Sequence, residues 1–142
     1  MSNVRPLSSA VAVGLSVVLG IGSASAGAID PARSTIADTA RLSKGATAVS
    51  LAGMVHCPNC RTFTLGATVS QRTSGAVGQG GVRCVCHGVA ERWLVTARAR
   101  EATRFKPGAA RVCVWIIARG SRGKAIDAEQ WCENVTLRPA EA

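Results

Sequence analysis

Tyrosine is absent from this chain, and two phenylalanines and three tryptophans are its whole aromatic complement. That scarcity excludes the usual single-strand nucleic-acid surface, in which aromatic side chains stack on successive bases between basic ones. Histidine occurs twice, at His56 and His87, each beside a cysteine rather than near a plausible acid. No G-x-S-x-G elbow is present, and the glycines of GQGG at 78–81 lack the following lysine and helix of a phosphate-binding loop. Carboxylate pairs for glycoside hydrolysis would have to be drawn from Glu91, Glu101, Asp127, Glu129 or Glu133. Glu129 and Glu133 share a strand face with Trp131, which reads as a hairpin surface rather than as an acid and a base across a cleft. After residue 26 no apolar run approaches the roughly 20 residues needed to span a bilayer, and no internal repeat points to a solenoid or propeller. These absences predict a chain with no catalytic activity, no cofactor and no membrane span.

Acids are scarce too: eight against 17 lysines and arginines, for a net charge of +9. A basic chain of this kind is drawn to anionic surface polymers, phospholipid or extracellular nucleic acid. The plainer reading is that Arg92, Arg98, Arg100, Arg104, Arg111, Arg119 and Arg122 keep a β surface soluble and guard its edges.

What is present begins with an address. A short polar start with Arg5, an apolar run from Ala10 to Ile21 and the small-x-small site Ala24-Ser25-Ala26 predict a secretory signal peptide over 1–26. The mature chain, from about Gly27, is then exported. Residues 27–45 predict a linker or a short helix started by Asp30-Pro31, with Ile36, Ala40 and Leu42 on one face and Gly45 at its end. From Thr47 the period becomes two. Val49, Leu51, Gly53 and Val55 form one strand; Phe63, Leu65, Ala67 and Val69 a second. Glycines 75, 78, 80 and 81 predict a mobile turn region before a third strand around Val82 and Val85, and Trp93, Val95 and Ala97 mark a fourth. After the turn at Lys106-Pro107-Gly108 come the run RVCVWIIA at 111–118 and a last alternation over 129–137. Short strands joined by glycine-containing turns, with no long helix, predict an all-β sandwich over 46–142. In such a core Trp93 and Trp115 are the expected fillers, while Trp131 is the exposed one, forming with Arg119 and Arg122 a basic-aromatic rim.

LAGMVHC at 51–57, VSQR at 69–72, VGQGGVRCVCHG at 77–88, Trp93, FKPGAARV at 105–112 and NVTL at 134–137 resemble a domain-of-unknown-function family of small secreted actinobacterial proteins. The resemblance implies an immunoglobulin-like β-sandwich with no established activity. It matches Cys57 and Cys86 to the family's two cysteines, and makes Cys60, Cys84, Cys113 and Cys132 additions.

Six cysteines in an exported domain make disulfides the default, and spacing narrows the 15 connectivities. Cys113 and Cys132 are symmetric about the loop near Arg122, as partners across a hairpin would be. Cys57 with Cys86, and Cys60 with Cys84, are nested about Arg72 like two rungs between the same segments. The rival is chemical. His56-Cys57-x-x-Cys60 with Cys84-x-Cys86-His87 offers four thiolates and two imidazoles for one zinc, or, through Cys57-Pro58-Asn59-Cys60, a thiol-redox motif. The redox form needs the motif to open a helix, and Arg61-Thr62-Phe63-Thr64-Leu65 is patterned as strand instead. The sequence therefore predicts an exported, monomeric, disulfide-stapled binding module for an anionic surface polymer or a protein, with a metal or redox protein built on Cys57, Cys60, Cys84 and Cys86 as the alternative. A secreted inhibitor of hydrolases is disfavoured, because no reactive-site segment is bracketed by disulfides.

Overall fold

The computed structural model describes residues 27–141, so the predicted signal peptide at 1–26 and Ala142 lie outside the described residues. A 3-10 turn at Pro31–Arg33 is followed by eight strands: β1 (Thr35–Ile36), β2 (Thr39–Leu42), β3 (Ala48–His56), β4 (Thr62–Ser70), β5 (Val77–Val85), β6 (Ala90–Ala99), β7 (Gly108–Arg119) and β8 (Ala125–Arg138). No helix among the described residues is long and apolar enough to cross a membrane.

The strands form one sheet that closes on itself. β1 and β2 lie one after the other along the same side of β3, pairing with Met54 and Gly53 and then with Ser50 and Val49, so they act as one interrupted strand. The ring then runs from β3 to β6, β5, β4, β7 and β8, and returns to β2. This closed seven-strand β-barrel replaces the expected immunoglobulin-like sandwich. The overturning observation is the ladder between β3 and β6, nine residue pairs from Ala48↔Arg98 to His56↔Ala90, which joins what a sandwich would leave as two sheet edges. Alternation along each strand is the same in either architecture, because both bury one face.

The barrel interior collects one side of every strand. Val49, Leu51 and Val55 of β3, Phe63, Leu65, Ala67 and Val69 of β4, and Trp93, Val95 and Ala97 of β6 are all buried. So are Val112, Val114, Ile116 and Ala118 of β7 with Val135 and Leu137 of β8. Closure removes the edges that an open sheet of this size would expose. Two seams are short: β5 meets β6 only at Gly78↔Ala99 and Gln79↔Arg98, and the parallel ladder of β2 and β8 covers only Thr39–Arg41 against Thr136–Arg138.

Two stretches differ from the sequence reading. The predicted helix in 27–45 is instead a 3-10 turn and two strands. Asp30 caps the turn, accepting the Ala32 N–H at 3.1 Å, and Ile36, Ala40 and Leu42 are buried as expected but at strand spacing. The glycines at 78, 80 and 81 are not a mobile turn but lie inside β5. They are required there by close approach: a Cβ at Gly80 would strike the Thr96 carbonyl of β6.

Candidate functional site

At one end of the barrel the loops 57–61, 86–89 and 120–124 come together with Ile29 and Asp30, and this end holds four of the six cysteines. Cys57 closes β3 and is buried; Cys60, Cys84 and Cys86 are half-buried and pack against the same core. Cys84 sits opposite Phe63 in the β4–β5 ladder and therefore points inward, with no cysteine across from it. Cys86 lies one residue beyond that ladder, where its N–H donates to the Arg61 carbonyl at 2.9 Å and brings it beside Cys60.

The disulfide accordingly joins Cys60 to Cys86, with Cα atoms 5.9 Å apart, and leaves Cys57 and Cys84 as free thiols. The nested pairing of Cys57 with Cys86 and of Cys60 with Cys84 is not what forms, because the ladder register sets Cys84 against a phenylalanine. The hairpin pair does form: Cys113 and Cys132 are directly opposed on β7 and β8, Cα atoms 4.0 Å apart. The Sγ atoms of Cys57, Cys60 and Cys86 all lie within 4.8 Å of one another. Burial pushes the Cys57 thiol up to about 11, and the Asp127 and Glu91 carboxylates add to the rise. Burial, then Glu91, also raises Cys84. Both are thus held as thiols near neutral pH, a poor state for a redox nucleophile.

Both histidines, contrary to the sequence reading, have acids. His56 Nδ1 lies 3.2 Å from Asp30 Oδ2, and His87 Nδ1 lies 2.7 Å from Glu91 Oε1, with the His87 backbone N–H donating to Glu91 Oε2 at 2.9 Å. Partial burial works to raise the Glu91 carboxyl, but the hydrogen bonds from His87 outweigh it and leave it below the usual range. Among the described residues the ligand atoms that gather here are the sulfurs of Cys57, Cys60 and Cys86, and neither imidazole joins them, so the zinc set of four thiolates and two imidazoles reduces to its sulfurs.

The tryptophans exchange roles. Trp93 fills the core as expected, at 1% exposure, but Trp115 is 43% exposed and lies on the outer wall. It rests over Gly66 of β4, where a Cβ would strike the indole ring. Trp131 faces inward opposite Val114, packs against the core, and keeps its Nε1 buried without a partner. The expected rim of Trp131, Arg119 and Arg122 therefore does not form. Arg122 is exposed, whereas Arg119 is half-buried and donates through Nη1 to the Gly123 carbonyl at 3.1 Å.

Charge is sorted by face. Arg41, Arg83, Arg92, Arg98, Arg111, Arg119 and Arg138 occupy outward positions of their strands, while Glu91, Asp127, Glu129 and Glu133 fall on the inward alternation of β6 and β8. Among the described residues none of these arginines has a carboxylate within 4.0 Å. Arg41, Arg92 and Arg138 line one groove of about 280 Å³ across β8, β2, β3 and β6, whose floor includes Ser50, Ala52 and Leu94. Arg41 is steadied by donating Nη1 to the Pro139 carbonyl at 3.0 Å, and Leu94 is 62% exposed. Periodicity could have shown this groove in part, since each arginine alternates with a buried neighbour; that the three share a wall depends on the β8–β2–β3–β6 order.

No family model matches the chain, and no curated protein matches it.

Proposed function

We propose that this is an exported, non-catalytic binding module whose cationic groove of Arg41, Arg92 and Arg138 takes an anionic polymer. The observation that carries the reading is three outward arginines lining one groove with no carboxylate to neutralise them. Guanidinium groups present paired donors that fit sulfate, phosphate or carboxylate in a bidentate way. Arginines with no ion-pair partner keep their field for a ligand instead of spending it within the fold. Ser50 and Thr39 add small polar groups to the groove, and Leu94 offers an apolar surface for a polymer backbone. The net charge of +9 extends the attraction around the barrel.

Binding to dextran sulfate, with uncharged dextran as control, tests this by titration at rising salt. The expected result is binding to the sulfated polymer alone, weakening steadily with salt. The triple change of Arg41, Arg92 and Arg138 to Gln should cost at least about tenfold in affinity, as lost charge-assisted contacts do. Arg111→Gln, on another wall, should cost less than about twofold by the same reasoning. Equal losses from both variants would reduce the groove to general charge, and equal binding to plain dextran would remove the reading altogether.

A further inference from the structure

The binding reading leaves the cysteine end unused. Two free thiols and one disulfide are gathered there, and three sulfur atoms lie within 4.8 Å of one another. Four thiolates around a tetrahedral zinc, at Zn–S distances of about 2.3 Å, stand roughly 3.8 Å apart. Cys57 Sγ already lies within 4.8 Å of both partners, while the Cys60 and Cys86 sulfurs, bonded to each other in the oxidised chain, must part to reach that spacing. Their supports are separate and rigid. Cys57 ends β3, Cys60 precedes β4, and Cys86 follows β5, so the ladders that close the barrel also fix the sulfur cluster. Cys84, on the inner face of β5 two residues before Cys86, is the remaining thiol at this end and the candidate for a fourth position. Cys113 and Cys132, by contrast, form a plain cross-strand bond on the outer wall.

We propose that reduction of the Cys60–Cys86 bond turns this end of the barrel into a site for one thiophilic divalent cation, held by Cys57, Cys60 and Cys86 with Cys84 as fourth ligand. A dithiol reductant supplies the two electrons and two protons that convert the disulfide to two thiols, and itself becomes a cyclic disulfide. The cation then displaces the thiol protons to solvent and bonds to the sulfurs. The oxidised chain has two of its ligands tied to each other and binds no metal there, so the site is gated by the redox state of its surroundings.

The test uses the full chain, reduced with dithiothreitol, freed of reductant without oxygen, and titrated with cobalt(II). The expected result is one cobalt per chain with a thiolate-to-cobalt charge-transfer band and intense visible bands of tetrahedral geometry, bleached by zinc. Cys57→Ser should weaken binding by at least about tenfold, a loss already typical of disturbing the surroundings of a metal's ligands. The double change of Cys113 and Cys132 to Ser should leave the spectrum in place. Absence of the charge-transfer band overturns the proposal, as does a Cys57→Ser chain that binds equally well. Alkylation mapped by peptide mass gives a second readout: zinc should protect Cys57, Cys60, Cys84 and Cys86 and leave Cys113 and Cys132 open. A reduced chain that loses its β circular-dichroism signal with and without metal also overturns it.

Discussion

The two ends of the barrel are closed by different chemistry. At one, the loops 57–61 and 86–89 are joined by the Cys60–Cys86 bond over a sulfur cluster. At the other, the buried side chain of Gln71 does the joining. Its Nε2 donates to the Lys106 and Ala109 carbonyls at 2.7 and 3.2 Å, and its Oε1 accepts from the Lys106 N–H at 2.8 Å and the Ser74 hydroxyl at 2.7 Å. Every donor and acceptor of that amide is used, which is the condition for a buried polar group to stabilise a fold. One end is therefore fixed whatever the redox state, and the other is conditional on it.

Breaking the permanent end should cost most. Gln71→Leu keeps the bulk but strands two carbonyls and an N–H in the interior, for an expected loss of about 4 kcal/mol, read as a lower urea midpoint. Cys60→Ser breaks the conditional end by opening a loop with a sequence separation of 26 residues. Its expected cost is about 3 kcal/mol in the oxidised chain. Repeating both in a dithiol reductant sharpens the contrast. The Cys60→Ser deficit should vanish against a reduced parent, while the Gln71→Leu deficit should stay whole. If reductant leaves the parent's midpoint unmoved, the sulfur end carries no stability.

A third, smaller effect is alkaline. Cys57 is raised from 9.0 to about 11, so the folded chain holds that proton more tightly than the unfolded one. The stability this brings is complete below the unfolded value and is lost as pH rises through the folded one. Between those values the parent should lose more stability than Cys57→Ala, and a Cys57 thiolate absorbance appearing at ordinary thiol pH would refute it. With tyrosine absent, that ultraviolet titration is free of phenolate. Smallest is Glu91→Gln, which removes the exposed His87 contact. It should cost less than about 1 kcal/mol, and the parent's small advantage should disappear as pH falls through the lowered Glu91 carboxyl.

What could be read beforehand was local. Alternation located β3, β4 and β7 closely, and the symmetric spacing of Cys113 and Cys132 gave their bond. The same alternation, followed through Val112, Val114, Ile116 and Ala118, places Trp115 outside; its bulk argued for the core and misled. Ile36, Ala40 and Leu42 fit a strand as well as a helix face, and the Asp30-Pro31 signal belonged to one short turn. The barrel itself depends on β3 meeting β6 and β2 meeting β8, contacts between distant segments that no local period encodes. The Cys60–Cys86 bond depends on the register that puts Cys84 opposite Phe63, three residues beyond Cys60. The arginine groove depends on that same strand order.

The short parallel ladder between β2 and β8 behaves like the clasp of a bracelet. It holds three residue pairs, against twelve between β7 and β8, and it is helped at the far end by the Ile29 N–H donated to Asp127 Oδ2 at 2.9 Å. Between these fastenings Trp131 fills the seam with an indole N–H that has no acceptor. Undoing the clasp parts no antiparallel ladder, so the opened form is a curled ribbon that keeps its strands paired. Amide exchange should therefore begin at the clasp and at the two-pair seam of β5 and β6, with the longer ladders releasing their protons together and much later.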